Sequence, residues 1–115
     1  MAKILGMGNA LVDIIIRIEN DRIIEDFTLL KGGMRLVDPS FVEKLLDVCS
    51  HLPNDKTPGG SAANTMNGLA NLGVEVGFIG KVSQDHFGTF MKDDMLGNGI
   101  MPLLLEGVAP TGLAV

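Results

Sequence analysis

The chain has 115 residues and a net charge of −5, with nine Lys and Arg residues spread out rather than clustered; this argues against nucleic acid as a partner, since phosphate binding needs a basic face. Hydrophobic residues make up 46% and charged residues 20%, which excludes a disordered chain and fits one domain with a modest core. No apolar run suits a membrane or a signal peptide: the stretch 10–16 is broken by Asp13 and followed by Arg17, and the amino terminus lacks a basic region and cleavage site.

In chain order, residues 3–7 and 10–18 are rich in Ile, Leu and Val, and predict two strands. The first has the character of a buried parallel strand. The second carries Asp13 inside the apolar run Leu11–Ile16, where a carboxylate costs stability unless it is hydrogen-bonded or faces a ligand. Residues 21–37 read as short strands or turns around Lys31-Gly32-Gly33, with Met34–Val37 a strand. Asp38-Pro39 is a helix start, because Asp can cap and Pro fits the first turn. Phe41, Val42, Leu45, Leu46, Val48, Cys49 and Leu52 then recur at helical spacing, until Pro53-Asn54-Asp55 ends the run.

A second helix is predicted over about 61–72, built from Ala, Ser, Asn and Gly with Met66, Leu69 and Leu72 on one face, and stopped by Gly73. Residues 74–79 alternate as a strand, 85–96 form a helix with Phe87, Phe90 and Met91 inward, and 100–105 and 111–115 are further strands. Strand–helix–strand units of this kind predict an α/β fold. Cys49, the lone cysteine, can form no intramolecular disulfide; it belongs to the apolar stripe, and a reducing cytoplasm is the expected compartment.

The most informative segment is Pro58-Gly59-Gly60-Ser61-Ala62-Ala63-Asn64-Thr65. Two glycines let the backbone take positive φ and approach a ligand closely, and the helix that follows offers free N–H groups at its first turn. A bare turn is the plainer reading of the same residues. Asp13 can accept two hydroxyl hydrogen bonds from a vicinal diol, or face water as an edge-strand carboxylate. Asn64, on the first turn of the helix, has an amide that both donates and accepts. Gly6-Met7-Gly8-Asn9-Ala10-Leu11 lacks the third glycine of a dinucleotide fingerprint, which disfavours an NAD-binding oxidoreductase domain. There is no P-loop, and His51 and His86 have no clustered ligand set for a metal.

Taken together, Gly8-Asn9 with the following Asp13, Lys31-Gly32-Gly33-Met34-Arg35-Leu36-Val37-Asp38, Gly59-Gly60-Ser61 with Asn64, Phe78-Ile79-Gly80-Lys81-Val82, Asp85, Gly88 and Pro110-Thr111-Gly112 resemble the amino-terminal part of the ribokinase-like (PfkB) carbohydrate kinases. Within that family they are most similar to the adenosine-kinase branch. The resemblance implies a Rossmann-like parallel sheet flanked by helices, with residues 1–115 as the amino-terminal portion of a kinase domain. Strands of a small β lid, over about 10–37 and 100–115, would interleave with the α/β core. It implies phosphoryl transfer from ATP, with Mg²⁺, to a primary hydroxyl of a nucleoside or, as the alternative, of a ribokinase- or fructokinase-type sugar. Asp13, Gly59, Gly60 and Asn64 would hold the acceptor hydroxyls, with Gly59-Gly60 the hinge for lid closure. Asn9, Leu11 and Ser61 would line the pocket.

Two departures stand out: Met66 where the family has a small residue, and Ser83 where it has Gly. The family's catalytic Asp in a Gly-Ala-Gly-Asp motif and its Asn-x-x-Glu motif do not occur in these residues, so no catalytic base, bound cofactor or metal is expected within them. The apolar ending Leu113-Ala114-Val115 reads as the front piece of a longer, truncated protein, inactive alone and prone to self-association through unpaired strands. A non-catalytic ligand-binding or assembly module is the reading from another class.

Overall fold

The computed structural model describes residues 3–115. They form two compact units, one comprising the chain up to Asp13 together with Lys56–Ala114, the other Ile14–Asp55 with Val115.

The first unit is organised by a parallel sheet of β1 (Lys3–Met7), β4 (Glu75–Ser83) and β5 (Ile100–Gly107) in the order β1-β4-β5. Leu5 lies opposite Gly77 and Gly77 opposite Met101; Met7 lies opposite Ile79 and Ile79 opposite Leu103. Parallel neighbours need crossovers, and these are α3 (Ser61–Asn71), lying between β1 and β4 in sequence, and α4 (His86–Gly97), between β4 and β5. Side chains alternate along β4, so Val76, Phe78 and Val82 share one face; they cluster with Ala63 and Met66 of α3 and Met91 and Met95 of α4. Phe78 and Met91 are completely buried, each contributing about 1.5–3 kcal/mol through area removed from water. The opposite face of the sheet carries Leu5, Met7, Met101, Leu103 and Leu105, all exposed.

A second sheet has the order β3-β2-β6, from β3 (Asn54–Gly59), β2 (Leu11–Ile16) and β6 (Gly112–Ala114). β2 and β6 are parallel, with Leu11 opposite Gly112, Val12 opposite Leu113 and Asp13 opposite Ala114. The interval 100–115, expected to form lid strands, therefore divides between the sheets. Residues 100–107 follow α4 and complete the parallel sheet, and only 112–114 join β2. β3 has no apolar alternation to announce it; Asn-Asp-Lys-Thr-Pro-Gly is tolerated because it lies at a sheet edge, where a proline costs no ladder bond.

In the second unit, α1 (Arg22–Asp26) replaces the expected short strands, and Met34–Val37 lies outside both sheets, since a strand forms only where a neighbour can pair it. α2 (Pro39–Val48) begins as expected: Asp38 Oδ1 accepts from the Phe41 N–H at 2.8 Å and from the Ser40 hydroxyl at 2.7 Å. Those bonds hold the Asp38 carboxyl below its ordinary value. The helix stops four residues short of Leu52, its end closing into turns at Ser50 and Leu52. Leu45 and Cys49 are buried, Phe27 packs edge-on against Phe41 at 5.6 Å, and burial pushes the Cys49 thiol up.

Candidate functional site

In parallel α/β sheets, ligands bind beyond the carboxyl ends of the strands. β1 ends there at Met7, and the Gly8 N–H donates to the Ile79 carbonyl at 3.1 Å before the chain enters β2. The turn from β3 into α3 lies against this segment. A methyl group on Gly59 would fall 2.5 Å from Asp13 Oδ1 and 2.6 Å from Oδ2. One on Gly60 would fall 2.5 Å from the Asn9 carbonyl oxygen, and Gly60 has φ +91°. Only glycine fits both requirements there. The backbone thus brings Asn9, Leu11, Asp13, Gly59 and Gly60 together.

Along β2, Val12 is fully buried and Asp13 half-buried, so alternation sets Asp13 on the opposite side from Val12, with its carboxylate toward Gly59. Ser61 opens α3, and its carbonyl accepts the Thr65 hydroxyl at 2.8 Å. α2 and α4 are each capped by an aspartate, Asp38 and Asp85, whereas α3 has Gly60 at its cap and no side-chain cap bond. Its first N–H donors are left for other acceptors. A carboxylate acceptor beside uncapped backbone donors is suited to a ligand bearing neighbouring hydroxyls.

Asn64 follows one turn later, its N–H donating to the Gly60 carbonyl at 2.9 Å. It lines a cavity of about 220 Å³ with Thr57, Pro58, Asn67, Asp94 and Asn98. Ala63, Met95 and Ile100 complete the lining of this mixed polar and apolar groove, and Asp13 does not line it. A wider cleft of about 630 Å³ lies at the turn from β4 to α4, lined by Ser83, Gln84, Asp85, His86, Lys92 and Glu106 among others.

Met66, a departure from the expected small residue, is 6% exposed and lies over Gly6. A methyl on Gly6 would come within 2.8 Å of Met66 Cγ and Sδ, so the larger side chain is accommodated by the missing one beneath it.

Sequence reasoning found no role for Asp85 and Thr111. The structure joins them. Asp85 Oδ1 accepts from the Gly88 N–H at 2.8 Å and from the Thr111 hydroxyl at 2.7 Å, and Oδ2 accepts from the Thr111 N–H at 3.0 Å. Burial pushes the Asp85 carboxyl up, but the bonds from Thr111 and Gly88, with His86 beside it, outweigh that and hold it below its ordinary value. The only local sign in the sequence was an Asp three residues before Gly88, a capping arrangement.

Among the described residues no helix is long and apolar enough to cross a membrane, and no three His, Cys, Asp or Glu side chains are placed to hold a metal ion.

Comparison with known proteins gives the context. A 5-dehydro-2-deoxygluconokinase of Bacillus thuringiensis subsp. konkukian is 46% identical over 92 residues, covering 76% of this chain and 27% of that protein. The crystal structure of an adenosine kinase from Sinorhizobium meliloti superposes with a TM-score of 0.75 at 36% identity, over 95% of this chain and 33% of that one. A probable sugar kinase from Rhizobium etli CFN 42 gives 0.72 at 34% identity, over 96% and 31%. The chain thus spans about a quarter of the length of the curated relatives it matches. Residues 48–115 match the pfkB family carbohydrate kinases, with the parallel sheet and flanking helices of ribokinase-like kinases around them; the chain belongs to that family.

Proposed function

We propose that these residues form the acceptor-binding part of a kinase that moves the γ-phosphoryl group of ATP to a primary hydroxyl of a nucleoside or sugar. The observation that carries this reading is the apposition of Asp13 and Gly59, where a carboxylate and a side-chain-free turn lie at the carboxyl end of β1. Asp13 accepts hydrogen bonds from the acceptor's hydroxyls. Gly59 and Gly60 let the ligand approach the backbone, and the uncapped start of α3 at Ser61 supplies N–H donors, while the side-chain amide of Asn64 reaches the acceptor from the neighbouring groove. Asn9 and Leu11 line the remaining side.

Phosphoryl transfer depends mainly on positioning and charge stabilisation, so orienting the acceptor is a large part of the task. Closure of the second sheet over the acceptor, hinged at Gly59-Gly60, would exclude water and suppress ATP hydrolysis. Magnesium would neutralise phosphate charge. The general base and the groups that hold the ATP phosphates are not assigned to residues in this reading.

Two acceptors are supported by different relatives. The adenosine kinase, matched over 95% of the chain, favours a nucleoside. The 46% identity with a 5-dehydro-2-deoxygluconokinase favours a sugar acid. Phosphate transfer from labelled ATP, assayed with the complete protein against adenosine, ribose, fructose and 5-dehydro-2-deoxygluconate, separates them. Phosphorylation of one acceptor well above the others supports the reading, and transfer to none of them overturns it.

A further inference from the structure

Thr111 is 4% exposed, and is the one buried polar residue among those described. Its hydroxyl accepts from the Ser83 N–H at 2.9 Å and donates to Asp85 Oδ1 at 2.7 Å, while its own N–H donates to Asp85 Oδ2 at 3.0 Å. Asp85 in turn caps α4 through the Gly88 N–H. One aspartate and one threonine thereby tie together the end of β4, the start of α4 and the residue that precedes β6.

The next residues transmit that anchorage. Gly112 pairs with Leu11, Leu113 with Val12, and Ala114 with Asp13. Faces alternate along a strand, so a one-residue slip of β2 would turn Asp13 away from Gly59 and expose Val12 in its place. The other two passages between the sheets, Gly8–Ala10 and Gly59-Gly60, are held by no side-chain hydrogen bond among the described residues. The passage into β6 is the one closed by side-chain hydrogen bonds.

We infer that Asp85 and Thr111 are positioning residues for the acceptor site: their clasp fixes β6, and through β6 the register of β2 that aims Asp13 at Gly59. The inference rests on the proposed role of Asp13 in holding the acceptor. Neither residue touches substrate. Their effect is felt in acceptor binding, while ATP binding is left alone.

The test uses the complete protein with Thr111→Val, which removes the hydroxyl at nearly constant volume, and Thr111→Ser, which restores it. Thr111→Val is expected to raise the acceptor KM about tenfold while the ATP KM stays within about twofold, and Thr111→Ser to recover most of the loss. Hydrogen exchange should accelerate about tenfold at residues 11–13 and 112–114, and stay unchanged in β1 and the first half of β4. An unchanged acceptor KM, or acceptor and ATP KM rising together with exchange accelerating throughout, overturns the inference. Should the wild type transfer phosphate to no acceptor, the functional reading fails and the exchange contrast alone decides the clasp: local acceleration upholds it, and none refutes it. If Thr111→Val does not fold, Asp85→Asn is read in its place, with the same outcomes on either side.

Discussion

The carboxylate of Asp13 occupies the space that a side chain on Gly59 would need, with 2.5 Å between Oδ1 and the position of the absent methyl. Chain conformation and site chemistry meet at this contact. The glycine permits the turn to pass the strand, and the strand presents its one acid to that turn.

Gly59→Ala should therefore displace the Asp13 carboxylate rather than unfold the protein. Overpacking of this kind costs about 1–3 kcal/mol, and the acceptor affinity should fall about ten- to hundredfold because the acid is moved off its position. Calorimetric titration of the acceptor, alongside a urea melt, checks both parts.

The packing of Met66 over Gly6 predicts a coupled pair. Gly6→Ala crowds the Met66 thioether and Met66→Ala opens a cavity, each costing about 1–5 kcal/mol alone. In the double variant the added methyl has room, so the combined loss should fall short of the sum by about 1 kcal/mol. Urea unfolding of the four proteins in the cycle measures this.

Acid should loosen the Asp85–Thr111 clasp. The folded Asp85 carboxyl is held below its unfolded value, so its contribution to stability is fully present above about pH 4 and is lost as pH falls through the lowered value. Asp85→Asn removes that titration. Between neutral pH and the acid limb, the stability difference between wild type and Asp85→Asn should shrink, as followed by thermal melts at a series of pH values.

How much of this was legible in the residues varies with the range of the interaction. β1 was readable as Lys3–Met7 because a short apolar run closed by Gly8 has few alternatives, although the strand expected to be buried lies at the sheet edge with Leu5 and Met7 exposed; α2 was readable because Asp38-Pro39 is a local start signal. The glycine turn before α3 and the acid within β2 were each visible, but not that one fills the space beside the other. β3 was missed since its residues carry no strand pattern; pairing at the sheet edge creates it. Met34–Val37 has strand-like residues and no partner. The Asp85–Thr111 clasp joins positions 26 residues apart across α4 and β5, and no spacing rule reaches that far.

The central claim is that Asp13 holds the phosphoryl acceptor, and steady-state kinetics of Asp13→Asn in the complete protein tests it most directly. Replacing a carboxylate that binds two hydroxyls should lower kcat/KM for the acceptor about a hundredfold or more, with the ATP KM and the melting temperature near those of the wild type. An acceptor kcat/KM unchanged by Asp13→Asn, in a protein that still phosphorylates its sugar or nucleoside, would contradict it.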